Sequence, residues 1–229
     1  MWWVSPSLAH GFITRPIPRA PFTGVQYLGD ASTTTNETTS TWSGAVIGDP
    51  HPDRIIILAI YQGVNGDVTD AQVNNQPFYF KNRLNEFAIT AHRVPHETTA
   101  TISVSATSSL RKAIGGYVAY PLNPIPLGFG SASATTTNDA VISNIKAQVN
   151  GGLVYSGGQN ATLGTFTTVW SGADAVVEDI DLQLEATASY TFGHINFTGS
   201  TDQSSLTLQE STSGTKRLCA ATWGPARGY

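Results

Sequence analysis

Histidines and carboxylates are the side chains in this chain that could bind a metal ion or transfer protons. His92 and His96 have the spacing of one helix face, but a proline lies between them and favours a surface turn. The densest acidic stretch spans residues 174–185, where Asp179 and Asp181 would share one side of a strand. It lacks the ligand spacing of a calcium loop, so we expect a solvated acidic face, with calcium binding left open.

A second polar cluster lies in the turn of residues 48–53, immediately before Arg54. We interpret Asp49 and Asp53 as turn formers and as partners of Arg54. The chain has neither a Gly-x-Ser-x-Gly elbow nor a phosphate-binding glycine loop. The sequence therefore predicts no catalytic residue, no cofactor and no metal ligand, and a protein that is not an enzyme. A jelly-roll glycoside hydrolase stays open as an alternative, since its two carboxylates can be distant in sequence.

Composition and charge exclude several classes of partner. The net charge is −4, and the nearest approach to a basic cluster is the pair Arg111-Lys112, so we expect no nucleic-acid binding. A single cysteine, Cys219, rules out an internal disulfide and is expected to be buried. The amino-terminal residues lack the features of a signal peptide, and no apolar stretch is long enough for a membrane span. We therefore expect synthesis in a cytoplasm, without membrane insertion.

Aromatic side chains could form a platform for stacking sugars, which makes a glycan-binding module the second functional alternative. The candidates are Trp42, Trp170, Trp223, Tyr61, Tyr79, Tyr117, Tyr155 and Tyr190.

The pattern of elements is that of an all-β protein. Residues 55–61 form an apolar run typical of a central strand buried on both faces, and residues 101–106 alternate as in a half-buried strand. Residues 33–41 are predicted to form a loop that enters a strand near Trp42. Further strands are predicted near 77–80, 87–93, 99–106, 113–120, 130–134, 139–149, 152–156, 166–170, 180–184, 186–192, 204–209 and 218–223. Residues 140–149 also have near-helical apolar spacing, although the flanking turns favour a strand. So many short strands predict an antiparallel β-sandwich of jelly-roll type.

The first 24 residues differ from the rest because closely spaced prolines favour an extended arm. We predict an extended proline-rich arm over residues 1–24 and a single β-sandwich domain over residues 25–229. The arm either folds back on its own domain or docks on a neighbouring subunit. The candidate docking residues are Trp2, Trp3, Phe12, Arg15, Pro16, Ile17, Pro18 and Phe22. Pro-Ile-Pro elements and Thr runs occur in both halves, at Thr33–Asn36 and Thr135–Asn138, but are too short to indicate a repeat.

Several stretches, in their order along the chain, resemble structural proteins of tailed-bacteriophage and prophage particles, of the tail or head-decoration type. They are residues 48–54 with the following strand 55–61, 73–76, 87–95, 101–105, 114–120 and 220–225. Asn75 departs from the glycine pair expected in that family's turn. The family has no catalytic residues.

The resemblance implies a non-enzymatic structural component of a bacteriophage particle, located in the virion after assembly in the host cytoplasm. Its partners would be other virion proteins and further copies of itself in a symmetric oligomer. A host surface glycan is the further partner that a receptor-binding role would imply.

Overall fold

The computed structural model describes residues 8–10, 23–63, 66–135, 138–159, 166–185, 188–211 and 213–226. These residues form strands joined by turns, and within them no helix is long and apolar enough to cross a membrane. The strands are β1 (Leu8–His10), β2 (Gly24–Thr33), β3 (Glu37–Val46), β4 (Ile55–Gln62), β5 (Val68–Val73), β6 (Gln76–Pro77), β7 (Phe80–Leu84), β8 (Phe87–Arg93), β9 (Thr99–Leu110), β10 (Lys112–Tyr120), β11 (Gly128–Ala134), β12 (Ala140–Ala147), β13 (Gly152–Gln159), β14 (Phe166–Trp170), β15 (Val177–Glu185), β16 (Ala188–Asn196), β17 (Thr201–Glu210) and β18 (Lys216–Trp223).

The strands form four antiparallel sheets, two from each half of the chain. The amino-terminal half contributes an inner sheet in the order β1-β2-β10-β4-β8-β7 and an outer sheet in the order β3-β9-β5-β6. The carboxy-terminal half contributes an inner sheet in the order β11-β18-β13-β16-β15 and an outer sheet in the order β12-β17-β14. The sequence-based prediction of an all-β, antiparallel sandwich architecture is confirmed.

The two halves follow the same path through their sheets. The eight strands β2, β3, β4, β5, β7, β8, β9 and β10 correspond in order to β11 through β18. In both halves the inner sheet has the order first-eighth-third-sixth-fifth, and the outer sheet has the order second-seventh-fourth. β1 and β6 are additions to the first half. The chain is therefore a structural tandem repeat, with the proline-rich segment of residues 121–126 at the junction.

One pair of buried side chains occupies the same place in each half. Lys112, at the start of the eighth strand, pairs with Gln62 on the third strand, and Lys216 pairs with Gln159 at the equivalent position. All four residues are almost completely buried. The Lys112 ammonium donates to the carbonyls of Glu37 and Leu110, and burial lowers its pKa. Lys112 therefore adds nothing to a cationic surface.

Three apolar layers separate the four sheets. Trp42 and Ile102 of the first outer sheet pack against Leu58 of the first inner sheet. Leu206 and Leu208 of the second outer sheet pack in the same way against the second inner sheet. The third layer lies between the two inner sheets and is the largest of the three. β4 is consequently buried on both faces, as its unbroken apolar run predicts.

The halves pack against each other through their inner sheets. The third strands of the two halves, β4 and β13, contact each other. The eighth strand of each half faces the sixth of the other: β18 contacts β8, and a Cβ placed on Gly115 of β10 would lie 2.9 Å from the Phe192 ring on β16. Tyr61 stacks on Tyr190 across the same layer, with ring centroids 5.4 Å apart. These contacts form one continuous apolar layer between the two halves.

Most predicted strands are present, and the errors are local. Strands 87–93 and 166–170 have the predicted bounds, and residues 140–147 form β12, so the helical alternative there is wrong. The predicted loop over residues 33–41 is also wrong, because β2 and β3 occupy all but a short turn of it. β5 was not predicted, since Val68–Val73 mixes apolar and polar side chains without a clear strand signal.

Arg54 binds backbone carbonyls, which corrects the prediction that it pairs with the carboxylates of Asp49 and Asp53. Its guanidinium is completely buried and donates to the carbonyls of Val94 at 2.6 Å and Glu97 at 2.5 Å. Three more bonds reach the carbonyls of residues 47–49. Arg54 therefore holds together the two loops at this end of the first sandwich.

His92 is buried on a strand, so the prediction that it lies in a surface turn is wrong. It belongs to β8 and is completely buried. Its Nδ1 atom lies 3.3 Å from the carbonyl oxygen of Gln76 and must donate to it, while Nε2 lies 3.0 Å from the hydroxyl of Thr90. Burial lowers the pKa of His92 to about 4, so the ring is neutral near pH 7.

Candidate assembly surface

The acidic stretch of residues 174–185 is largely bound to the protein itself. Asp179 is buried and accepts a bond from His194 Nδ1 at 2.7 Å, so the prediction of a solvated face is wrong at this residue. Asp174 accepts the backbone N–H and the hydroxyl of Thr198, and Glu178 accepts the N–H of Thr168. Across the described part of the chain, no cluster of three or more metal-ligating side chains is present.

Most of the aromatic side chains considered for sugar stacking lie inside the protein. Seven of the eight are buried, and Tyr79 alone among them is exposed, at 41%. A buried ring cannot stack on an external sugar. The described residues thus leave Tyr79 as the one member of this set that a glycan could reach.

The residues predicted to dock the amino-terminal arm lie outside the described residues. This applies to Trp2, Trp3, Phe12, Arg15, Pro16, Ile17, Pro18 and Phe22. Of the predicted arm, residues 8–10 form β1, which pairs antiparallel with the end of β2.

An exposed apolar surface lies where the two inner sheets meet at the open edge of β11. It consists of Ile125 and Leu127 in the segment that leads into β11, Phe129 on β11, and Tyr79, which precedes β7. Ile125 is 73% exposed and Phe129 is 64% exposed. We call these four residues the edge patch. Isolated exposed apolar residues are common, whereas a group of large ones at a strand edge is typical of interaction sites.

The edge patch rests on a rigid base. Phe80 of β7 packs edge-on against both Phe129, at 5.4 Å between centroids, and the buried Trp223, at 6.0 Å. Asn82 of β7 donates to the carbonyls of Gly130 at 2.6 Å and Ala220 at 3.1 Å. These contacts join β7 of the first half to β11 and β18 of the second.

The segment that precedes β11 is tied to the chain's last described residues. The N–H of Asn123 donates to Gly224, and its side-chain oxygen accepts the N–H of Ile125 at 3.0 Å. Leu127 donates to the carbonyl of Thr222, and Ala226 donates to that of Pro121. The exposed side chain of Ile125 is therefore presented from an ordered turn. A shallow groove of about 350 Å³ opens beside it.

The edge patch carries no charge of its own. Burial of part of the Tyr79 side chain raises the pKa of its hydroxyl above the ordinary value, so the hydroxyl is neutral at physiological pH. β11 itself has the sequence Gly-Phe-Gly-Ser-Ala-Ser-Ala and includes no ionisable residue and no proline. An uncharged apolar surface beside an unpaired strand edge can bind an extended polypeptide.

The sequence contains a signal for this surface. Ile125, Leu127 and Phe129 alternate with proline and glycine, which is the period of a strand with one apolar face. That this apolar face lies at a sheet edge depends on pairing between residues about 90 positions apart.

Comparisons with known proteins do not assign this chain to a family. A scan of family models and searches of curated proteins and of solved structures found no match. The similarity to phage particle proteins stays a prediction.

Proposed function

We propose that this protein is a non-enzymatic structural component of a bacteriophage particle, of the tail or of the head-decoration type, that assembles through protein–protein contacts. The observation that carries the proposal is the edge patch beside the outer edge of β11, which pairs with no described strand. A rigid, uncharged surface of this kind suits a permanent contact with another polypeptide better than it suits catalysis.

The strand order supports the same proposal. In each half, the strands first, eighth, third and sixth are neighbours in the inner sheet, and the strands second, seventh and fourth form the outer sheet. We infer from this order a jelly-roll-like sandwich in each half, in which the fifth strand belongs to the inner sheet. Jelly rolls recur in viral capsid and lectin domains. Fold alone does not decide function, so this support is by analogy.

Incorporation of edge-patch variants into particles tests the proposal. Phe129→Asp places a charge on the patch without emptying the core, because Phe129 is 64% exposed. We expect the wild-type protein in density-purified particles and several-fold less of Phe129→Asp. Val169→Asp, at a residue of β14 that is 44% exposed, is the control and should be incorporated normally. Equal incorporation of the two variants, or absence of the wild-type protein from particles, would contradict the proposal.

A further inference from the structure

Because the two halves are a tandem repeat, the open edge of β11 can be compared with the equivalent edge of β2, which is covered. β2 and β11 are the first strands of the two halves, and each lies next to the eighth strand of its inner sheet. The outer edge of β2 is covered by β1, with Leu8 opposite Thr33 and His10 opposite Ser32. The outer edge of β11 pairs with no described strand. Among the described residues, the position that β1 fills in the first half is open in the second.

β11 also lacks the charged side chains that are present on β7 and β15, two other edge strands of the inner sheets. β7 carries Lys81 and Arg83, and β15 carries the exposed Glu178. Charged side chains on an edge strand oppose pairing with another chain. β11 has none, and Ser131 and Phe129 are exposed along it. Its edge therefore favours an added strand, and the edge patch favours one with large apolar side chains.

We propose that β11 binds, as an added antiparallel strand, residues 1–7 of a neighbouring copy of this chain, an inference that rests on the proposed assembly function. This segment, Met-Trp-Trp-Val-Ser-Pro-Ser, has no charged side chain and carries Trp2, Trp3 and Val4. The tryptophans supply the large rings that the edge patch can bury. The segment directly precedes β1, which adds to β2 in the equivalent way.

The geometry requires a neighbouring copy as the donor. β1 and β7 lie at opposite margins of the six-stranded inner sheet, and β7 is the strand that contacts β11. Five strand spacings of about 4.8 Å separate those margins by roughly 24 Å. Seven residues span at most about 24 Å when fully extended. Residues 1–7 of the same copy would therefore all be needed to cross the sheet, and none would remain to pair with β11. Donor and acceptor lie at opposite margins, so the contact is head-to-tail and builds a ring or a filament.

The mass of the purified full-length protein in solution is the first test. At ~100 µM, where a contact of micromolar affinity is saturated, we expect multi-angle light scattering to show oligomers. Deletion of residues 1–7 should give a folded monomer by circular dichroism and scattering, and so should Ser131→Lys, which adds a charge to the β11 edge. Thr167→Lys, at an exposed position of the edge strand β14, is the matched control and should still assemble. A monomeric full-length protein would overturn the inference, as would a truncated protein that still assembles.

A peptide experiment separates this inference from the proposed function. A fluorescently labelled peptide of residues 1–7 should bind the truncated protein saturably, as measured by anisotropy. Ser131→Lys should weaken this binding at least about tenfold, whereas Thr167→Lys should leave it unchanged. No binding, or equal binding to the two variants, would refute the arm as occupant. If the wild-type protein is nevertheless present in purified particles, the proposed function stands and this inference alone fails.

Discussion

Arg54 and His92 show how single buried polar residues organise the first sandwich. Each is completely buried, and each has partners in loops or strands distant along the chain. A buried polar group stabilises a fold only when its hydrogen bonds are made, so the partners determine what a substitution costs. The sequence suggested an ion pair for Arg54 and made His92 a candidate metal ligand, whereas the structure gives both an architectural role.

Replacing Arg54 with lysine should destabilise the protein strongly. Lysine has three donors on one nitrogen and cannot reach the carbonyls in both loops, so several buried acceptors lose their partners. We expect the free energy of unfolding, measured with urea, to fall by about 3 kcal/mol. Arg93→Lys, at an exposed residue of β8, is the control and should change it by less than about 0.5 kcal/mol. Equal effects of the two substitutions would contradict the role of the Arg54 bonds.

His92 should make stability depend on pH below neutrality. Its pKa is about 4 in the folded protein and about 6.5 in an unfolded chain, so the unfolded state binds an extra proton between these values. The free energy of unfolding should therefore fall as pH drops from 6.5 to 4, by about 3 kcal/mol in total. Urea unfolding at several pH values measures this slope.

The matched variants isolate the contribution of His92. His92→Asn keeps a donor near Gln76 and should reduce the slope, whereas His96→Asn, at an exposed residue, should retain it. An unchanged slope in His92→Asn would show that other groups cause the pH dependence.

At the scale of strands, local sequence patterns predicted where many strands lie and how they are buried. Which strands pair with one another was seen only in the structure. Ile55–Gln62 and Phe87–Arg93 were found because their apolar runs are bounded by turns. β2 was missed because its glycines and polar residues weaken the signal. The edge position of Phe129 depends on β11 pairing with β18, which joins residues far apart in sequence. The repeat was equally hidden, since its halves share strand order but few residues.

Gly115 should be intolerant of a side chain because of where its strand packs. It lies on β10 against Phe192 of the other half, and an added Cβ would come within 2.9 Å of that ring. We expect Gly115→Val to lower the free energy of unfolding by about 1–3 kcal/mol through overpacking. Gly199→Val is the control, because no atom lies within 4 Å of a Cβ placed there. A neutral Gly115→Val would show that the inner sheets can separate without cost.

At the scale of the whole molecule, the shared layer between the inner sheets should make the two halves unfold together. Each inner sheet would expose a large apolar face if its partner unfolded alone. Hydrogen-exchange mass spectrometry along a urea titration can follow β9 and β17, one outer strand from each half. We expect a common midpoint for both, consistent with the prediction of a single domain over residues 25–229. Two separate midpoints would divide the chain into independent domains.

The absolute copy number of the protein in purified phage particles bears most directly on the proposed function, and quantitative mass spectrometry measures it. We predict the same number in independent preparations, on the order of hundreds for a head component or a few for a tail component. A protein that is absent from particles, or whose amount varies and falls with each purification step, would contradict a structural role in the virion.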